Sequence, residues 1–483
     1  MQKNMSLALT PELRSELFAF VGKAVEEYSK NVDSMRVAPR LHQEMLDTLR
    51  TSVSAYTFTK PDEPINALQF VLQNLQENQV HTPHPCYFGL FNPAPSFMGV
   101  LADTIVAAFN PQIAAWSHSP FAAEIEAHLI RSLGEKFGYN PQETDGVFTS
   151  GGAEANHTAL LTALTHKFPK FSEHGLLAAK EQPVIYVSAQ AHHSFLKAAR
   201  FCGLGTSAVR SVPTDEKLKI SIDALREQIA KDRTNTCVLT MLVATAGTTS
   251  AGAFDDIKVL EQIAREEGMW FHVDAAWGGA AALVPELAHL LDGVEKADSI
   301  TFDAHKFLSV PMAAGIYLTR HKAILQKTCA ISTAYMPLDA DGLDVTDPFT
   351  HSMQWSRRFT GLKLFLTLAV AGWEGYAETI RHQTAMGNLL RKELEKGGWR
   401  MVNDTPLPVV CFVDESHENG SVPEFLKAVA KRIVQSGEAW LSTTLLNGKT
   451  VLRACITNYA TQEDDIQALV RLLGKVRGQI AQE

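Results

Sequence analysis

The sequence is short of several features, and each shortage removes a class of protein. Its six cysteines (Cys86, Cys202, Cys237, Cys329, Cys411 and Cys455) are scattered, with no CxxC pair among them. That spacing argues against a disulfide framework or a zinc site, and it fits reduced thiols in the cytoplasm. No metal ligand set is expected. Long apolar runs are missing too. The stretch Leu362 to Gly372 contains Lys363 and is too short to cross a bilayer, so no membrane span is expected. Met1 to Thr10 has no apolar segment of the kind a secretory signal carries. Positive charge is in deficit: 44 Lys and Arg stand against 53 Asp and Glu, a net charge of −9. No basic tract is dense enough to hold nucleic acid. Internal repeats and low-complexity segments are absent.

What is present reads as a multidomain globular chain. At 483 residues it is too long for a single core. Residues 1–80 read as a helical arm. Thr10-Pro11 forms an N-cap and first-turn pair, and Leu13, Leu17, Val21, Ala24, Val25 and Tyr28 follow at helical spacing. Two shorter periodic runs, Leu41 to Val53 and Ile65 to Leu75, complete the arm. Helices this short need a surface to pack on. The segment His81 to Ser96, dense in Pro, Gly and aromatics, reads as a pocket wall or equally as a linker.

Residues 81–365 form the larger unit. Short apolar strand candidates at 146–148, 184–187, 237–244, 270–273, 299–302 and 315–318 alternate with helical runs. That alternation predicts a mostly parallel sheet covered on both faces. Residues 366–483 read as a smaller α+β unit, with strands at 408–413 and 450–456 and helices at 376–394, near 422–434 and at 463–476.

The chemistry gathers at the ends of the strands. Phe271 and Val273 deliver Asp274 to one strand end; Ile300 and Phe302 lead into Asp303, His305 and Lys306 at another. Carboxyl ends of parallel strands converge on the crevice where α/β sheets bind ligands. A lysine there can form a Schiff base with pyridoxal phosphate (PLP), and a buried Asp can keep the pyridine nitrogen protonated. Ser150-Gly-Gly-Ala153 joins a strand to a helix, where glycines admit close approach and free N–H groups face a phosphate. His192 follows another strand and could stack on a planar ring. Ala244 to Thr249 brings hydroxyls to the same rim. Each motif alone reads equally well as an ordinary turn. Together, at successive strand ends, they converge.

In this combination the chain, over roughly residues 75–465, resembles the PLP-dependent decarboxylases of the aromatic-amino-acid and glutamate decarboxylase group. The resemblance implies the aspartate-aminotransferase-like fold type I, with a seven-stranded, mostly parallel sheet. It implies an L-amino acid substrate, an amine and carbon dioxide as products, and a homodimer with sites shared between subunits. Lys306 would carry the cofactor, Asp274 would pair with the pyridine nitrogen, Ala276 would pack on the ring, and His192 would stack on its other face. Gly152 and Ala153 would offer N–H groups to the phosphate, with Ser150, Gly151, His305 and Thr249 nearby. Arg453 would meet the substrate carboxylate, or else form a surface salt bridge.

One departure stands out. Many members carry a proton-delivering tyrosine on a loop before an Arg-Arg pair. A gap-free count back from Arg357 and Arg358 reaches Pro348 or Phe349, and neither has a proton to give. Either another group, such as His351 or His192, protonates the carbanion, or oxygen intercepts it to give aldehyde, ammonia and peroxide. Decarboxylation to the amine is the leading expectation. Gln112 and Ala114 stand where aromatic-specific relatives carry larger apolar residues, whereas Tyr87, Phe88 and Phe91 favour an aromatic pocket. Two further readings remain: a cysteine desulfurase or lyase using Cys329, and a PLP-carrying protein without turnover.

Overall fold

A computed structural model of the chain describes residues 7–331, 340, 342–414, 416 and 423–482. Val422, in the expected helix near 422–434, and residues 1–6 of the N-terminal stretch lie outside the described residues. The large sheet has seven strands: β1 (Asp145–Thr149), β2 (Pro183–Ser188), β3 (Val209–Val212), β4 (Val238–Thr245), β5 (Trp270–Asp274), β6 (Ser299–Asp303) and β7 (Gly315–Thr319). Their order is β1-β7-β6-β5-β4-β2-β3. Only β7 runs antiparallel to its neighbours. The central strands are apolar without alternation: Leu242, Val243, Ala244, Val273, Ile300 and Phe302 are all buried. Such runs follow from cover on both faces, supplied here by helices such as Gly152–Lys167, Ser194–Phe201 and Ile257–Glu266.

Register sets the rim. Thr245 pairs with Asp274, Asp274 with Thr301, Asp303 with Gly315, and Gly315 with Thr149. The carboxyl ends of β1, β4, β5 and β6 therefore open onto one edge, the crevice where such sheets hold ligands.

A second sheet, with order β10-β11-β9-β8, is antiparallel throughout. It comprises β8 (Trp399–Met401), β9 (Val409–Asp414), β10 (Ser442–Leu446) and β11 (Lys449–Cys455). The helices Pro423–Ser436 and Glu463–Ile480 cover it with Leu426, Val429, Ile433, Ile466, Leu469 and Leu473. A helical span, Gly361–Lys396, links the two sheets and breaks at Gly372, whose φ of 65° suits glycine. The Pro-rich segment is stitched to the small sheet: Phe88 N–H donates to Trp440 O at 2.8 Å, and Cys455 N–H donates to Phe88 O at 3.0 Å.

The arm comprises the helices Pro11–Asn31, Gln43–Ser54 and Pro64–Glu77, the first capped by Thr10, which accepts from Leu13 N–H at 3.3 Å. None of the three contains a buried residue. Among the described residues, no helix is long and apolar enough to cross a membrane.

Candidate active site

The turn after β1 is built to approach something closely. Glu154 and Ala155 N–H both close on Gly151 O, so the helix Gly152–Lys167 begins at once. The first N–H groups of a helix have no partner within it, and here they belong to Gly152 and Ala153. A methyl on Gly152 would sit 2.8 Å from Asp303 Oδ2 and 3.3 Å from the Ala276 Cβ; one on Gly151 would sit 3.5 Å from the His305 ring. Gly315 lets the turn lie against β7, since a Cβ there would come within 2.5 Å of Gly151. Ser150 N–H donates to Glu154 Oε2 at 2.8 Å, and Gln354 Nε2 holds that carboxylate from the far side at 2.7 Å.

Lys306 follows β6 with its Nζ 2.9 Å from Asp303 Oδ2, while Asp303 Oδ1 is buried without a hydrogen-bond partner among the described residues. His305 Nδ1 accepts from Ala314 N–H at 3.2 Å, which leaves its proton on Nε2, 3.9 Å from the same Asp303 oxygen. Burial lowers the pKa of His305, against the pull of Asp303.

Asp274, at the end of β5, is buried and receives Asn156 Nδ2 at 2.9 Å and Ala276 N–H at 3.2 Å. His192 stands at the open mouth, its Nδ1 accepting from Ser194 N–H at 3.2 Å. Its pKa is lowered first by burial and also by the charge of Lys306, and it is raised by Asp274, so all three share one electrostatic environment.

Arg453, on β11, reaches the same crevice from the small sheet. Its Nε donates to Thr249 O at 2.9 Å and its Nη1 to Gly89 O at 3.0 Å. Its Nη2 is buried with no partner among the described residues. The Phe91 ring lies 5.0 Å from the guanidinium and 5.8 Å from Lys306 Nζ, and it stacks on Trp277 at 4.4 Å.

Three further expected residues have same-chain partners other than Lys306, Asp274 and His192. Phe349 is buried and stacked on Trp355 at 4.8 Å, and its N–H is tied to Ala114 O at 3.0 Å. His351 is held between Thr350 at 2.8 Å and Asp145 at 3.2 Å, beside a cavity of about 550 Å³ that Pro348 and Arg357 also line. Gln112 is exposed and caps Ala114 N–H at 2.8 Å. Cys329 makes a poor nucleophile, because burial pushes its thiol up to about 11.

Sequence reasoning missed Asn156 and His272. Asn156 lies one helical turn beyond Gly152, and that i, i+4 spacing was the available signal.

A seven-stranded sheet of this order, with an amine, a carboxylate and a glycine cradle on one rim, defines a fold type I PLP enzyme. The model of the pyridoxal-dependent decarboxylase conserved domain matches residues 54–414. An aromatic-L-amino-acid decarboxylase from Bacillus atrophaeus is 31% identical over 88% of either chain. An L-aspartate decarboxylase from Metarhizium robertsii is 30% identical over 74% of this chain and 72% of its own. The crystal structure of Oryza sativa TDC with PLP and tryptamine superposes with a TM-score of 0.88 at 26% identity, covering 98% of this chain and 100% of that one. The chain belongs to the pyridoxal-dependent decarboxylase family. It is a PLP-dependent amino-acid decarboxylase.

The residues fit that cofactor on physical grounds as well. The Gly151-Gly152 turn leaves room that a Cβ would fill, and the helix start offers donors for a phosphate. Asp274 has two neutral donors and no ion-pair partner among the described residues, which suits a carboxylate awaiting a ring N–H.

Proposed function

We propose that the chain decarboxylates a free L-amino acid to its amine and carbon dioxide. The observation that carries this reading is Arg453: a buried guanidinium with one nitrogen unpaired among the described residues, sharing the Phe91 ring with the amine of Lys306. A buried charge needs a counter-charge, and the carboxylate of the substrate supplies one. PLP, once bound, supplies an electron sink for the bonding pair released as that carboxylate leaves.

The residues divide the rest of the work. Lys306 would hold the cofactor through its aldehyde, and Asp274 would keep the ring nitrogen protonated. Gly152 and Ala153 would bind the phosphate through their N–H groups, with Ser150 and His305 bounding that pocket. His192 would stack over the ring and Ala276 under it. Thr249, whose carbonyl holds Arg453, positions the carboxylate clamp.

The amine is favoured over the aldehyde because Phe349, the residue that motivated the aldehyde reading, is packed on Trp355. The sequence does carry two tyrosines between Lys306 and Arg357 that the gap-free count passes over. Tyr317 is buried on β7, and Tyr335 lies outside the described residues.

A homodimer is supported by the arm's three helices without a buried residue, and by Phe97, Leu101, Ile105 and Phe109 exposed along one helix. Six free cysteines support a cytoplasmic location.

The test is product analysis under air with PLP-loaded protein and a panel headed by aromatic and acidic amino acids, the classes named for its relatives. Carbon dioxide with an equal yield of amine is expected. Aldehyde with peroxide would replace the amine reading, and carbon dioxide release by Lys306→Ala would sink the site assignment.

A further inference from the structure

Beneath the crevice runs a buried file of polar side chains that the reaction does not obviously need. Trp270 Nε1 lies 2.8 Å from Ser299 Oγ, and Ser299 Oγ lies 2.8 Å from His272 Nδ1. His272 Nε2 lies 3.2 Å from Asn156 Oδ1, and Asn156 Nδ2 lies 2.9 Å from Asp274 Oδ2. Trp270, Ser299, His272, Asn156 and Asp274 are all buried.

The direction of every bond follows from the two ends. A carboxylate can only accept and an indole N–H can only donate. Asp274 therefore requires the nitrogen end of the Asn156 amide, which also donates to Ser194 Oγ at 2.9 Å. The carbonyl end then faces His272 and must receive a proton, so the imidazole carries its hydrogen on Nε2. Nδ1 is left bare and accepts the Ser299 hydroxyl, whose own lone pair takes the Trp270 N–H. Reversing any one member sets lone pair against lone pair or proton against proton.

We propose that His272 and Asn156 are positioning residues, which hold Asp274 in the orientation that meets the cofactor's ring nitrogen through this one-way chain from Trp270. The inference rests on the reading of Asp274 given above. Burial lowers the pKa of His272 to about 4, so the ring stays neutral at working pH, and the chain passes on orientation without adding charge beside Asp274. Losing the Nε2 proton would remove the donor that anchors the Asn156 oxygen, leaving only the contacts of its nitrogen with Asp274 and Ser194 to orient the amide.

The test uses the PLP-loaded enzyme and follows the pH midpoint of the bound cofactor's visible absorbance band together with kcat and KM. His272→Phe removes both ring nitrogens. It is expected to move the band midpoint by roughly half a pH unit or more and to cut kcat by about ten- to a hundredfold with KM little changed. His272→Gln keeps a donor toward Asn156 and is expected to recover most of both. An unmoved midpoint in folded His272→Phe, or His272→Gln impaired as deeply as His272→Phe, overturns the proposal. If His272→Phe does not fold, Ser299→Ala stands in: the midpoint must move in the same sense as with Asp274→Asn, and no movement overturns the chain. Asp274→Asn separates the two readings. A band indifferent to Asp274→Asn defeats the Asp274 assignment itself, whereas a response to Asp274→Asn but not to His272→Phe defeats only the relay.

Discussion

Lys306 and Gly152 meet on one oxygen: the amine lies 2.9 Å from Asp303 Oδ2, and a methyl on Gly152 would lie 2.8 Å from it. The strand that carries the lysine and the helix that offers the phosphate donors are thus locked in register by the absence of a single carbon. Gly152→Ala should press Asp303 and Ala276 apart and misplace both ends of the cofactor site. PLP affinity, read by fluorescence titration of the apoenzyme, should fall by about tenfold or more, since overpacking costs about 1–3 kcal/mol. Wild-type affinity in that variant would refute the shared-oxygen geometry.

Arg453 should act on the substrate's carboxylate and leave the rest of the molecule alone. Arg453→Gln is expected to lower kcat/KM by roughly thirtyfold to several thousandfold, the range for removing one partner of a buried charged pair. The amine product has no carboxylate, so its inhibition constant should stay within about threefold. Equal weakening of substrate and amine would show that Arg453 only shapes the pocket.

Arg357 and Glu126 form a buried ion pair at 2.7 Å, and Glu126 also accepts Gly361 N–H at 2.9 Å. Stranding one of two buried charges costs about 3–5 kcal/mol. Arg357→Ala should lower the urea midpoint of the holoenzyme accordingly, and Glu126→Gln in the same chain should restore part of it. A loss under about 1 kcal/mol would show that water reaches the pair.

His272 makes stability depend on acid. Its pKa falls from the ordinary 6.5 to about 4 in the folded chain. Between those values the unfolded chain takes up a proton that the folded chain refuses, so stability drops as pH falls through the window and the contribution levels off below it. The cost reaches about 3 kcal/mol near pH 4. Urea unfolding at a series of pH values should show a shallower acid slope for His272→Gln. Parallel slopes would mean that the imidazole is not buried neutral.

Product identity provides a further check on Phe349. Its packing against Trp355 predicts that Phe349→Tyr leaves the amine-to-aldehyde ratio untouched. Tyr335→Phe should raise the aldehyde share at the expense of amine. A ratio governed by position 349 would reverse the proposal.

Much of the rim was legible in the sequence because a doubly covered sheet writes its strands as apolar runs, so the first polar residue after each run marks the edge. Asp274, Lys306 and the Ser150 turn were found in that way. Residues whose partners come from packing left fainter signs. Asn156 sits mid-helix, and only the seating of that helix on β5 turns it toward Asp274. Arg453 meets Gly89, 364 residues away in the chain, and no periodicity announces that contact. β3 was missed because four residues with one half-buried and one exposed position carry little pattern. The stacking of Phe349 on Trp355 has no sign in the sequence, because counting along a chain cannot see one ring fold back over another.

No residue of the three arm helices is fully buried within its own chain, so their order leans on what they meet. For a homodimer this makes arm structure a matter of mass action: dilution should loosen residues 11–77 before it disturbs either sheet. A protease added to progressively dilute enzyme would then cut the arm first. The clipping rate would report the association constant of the assembly.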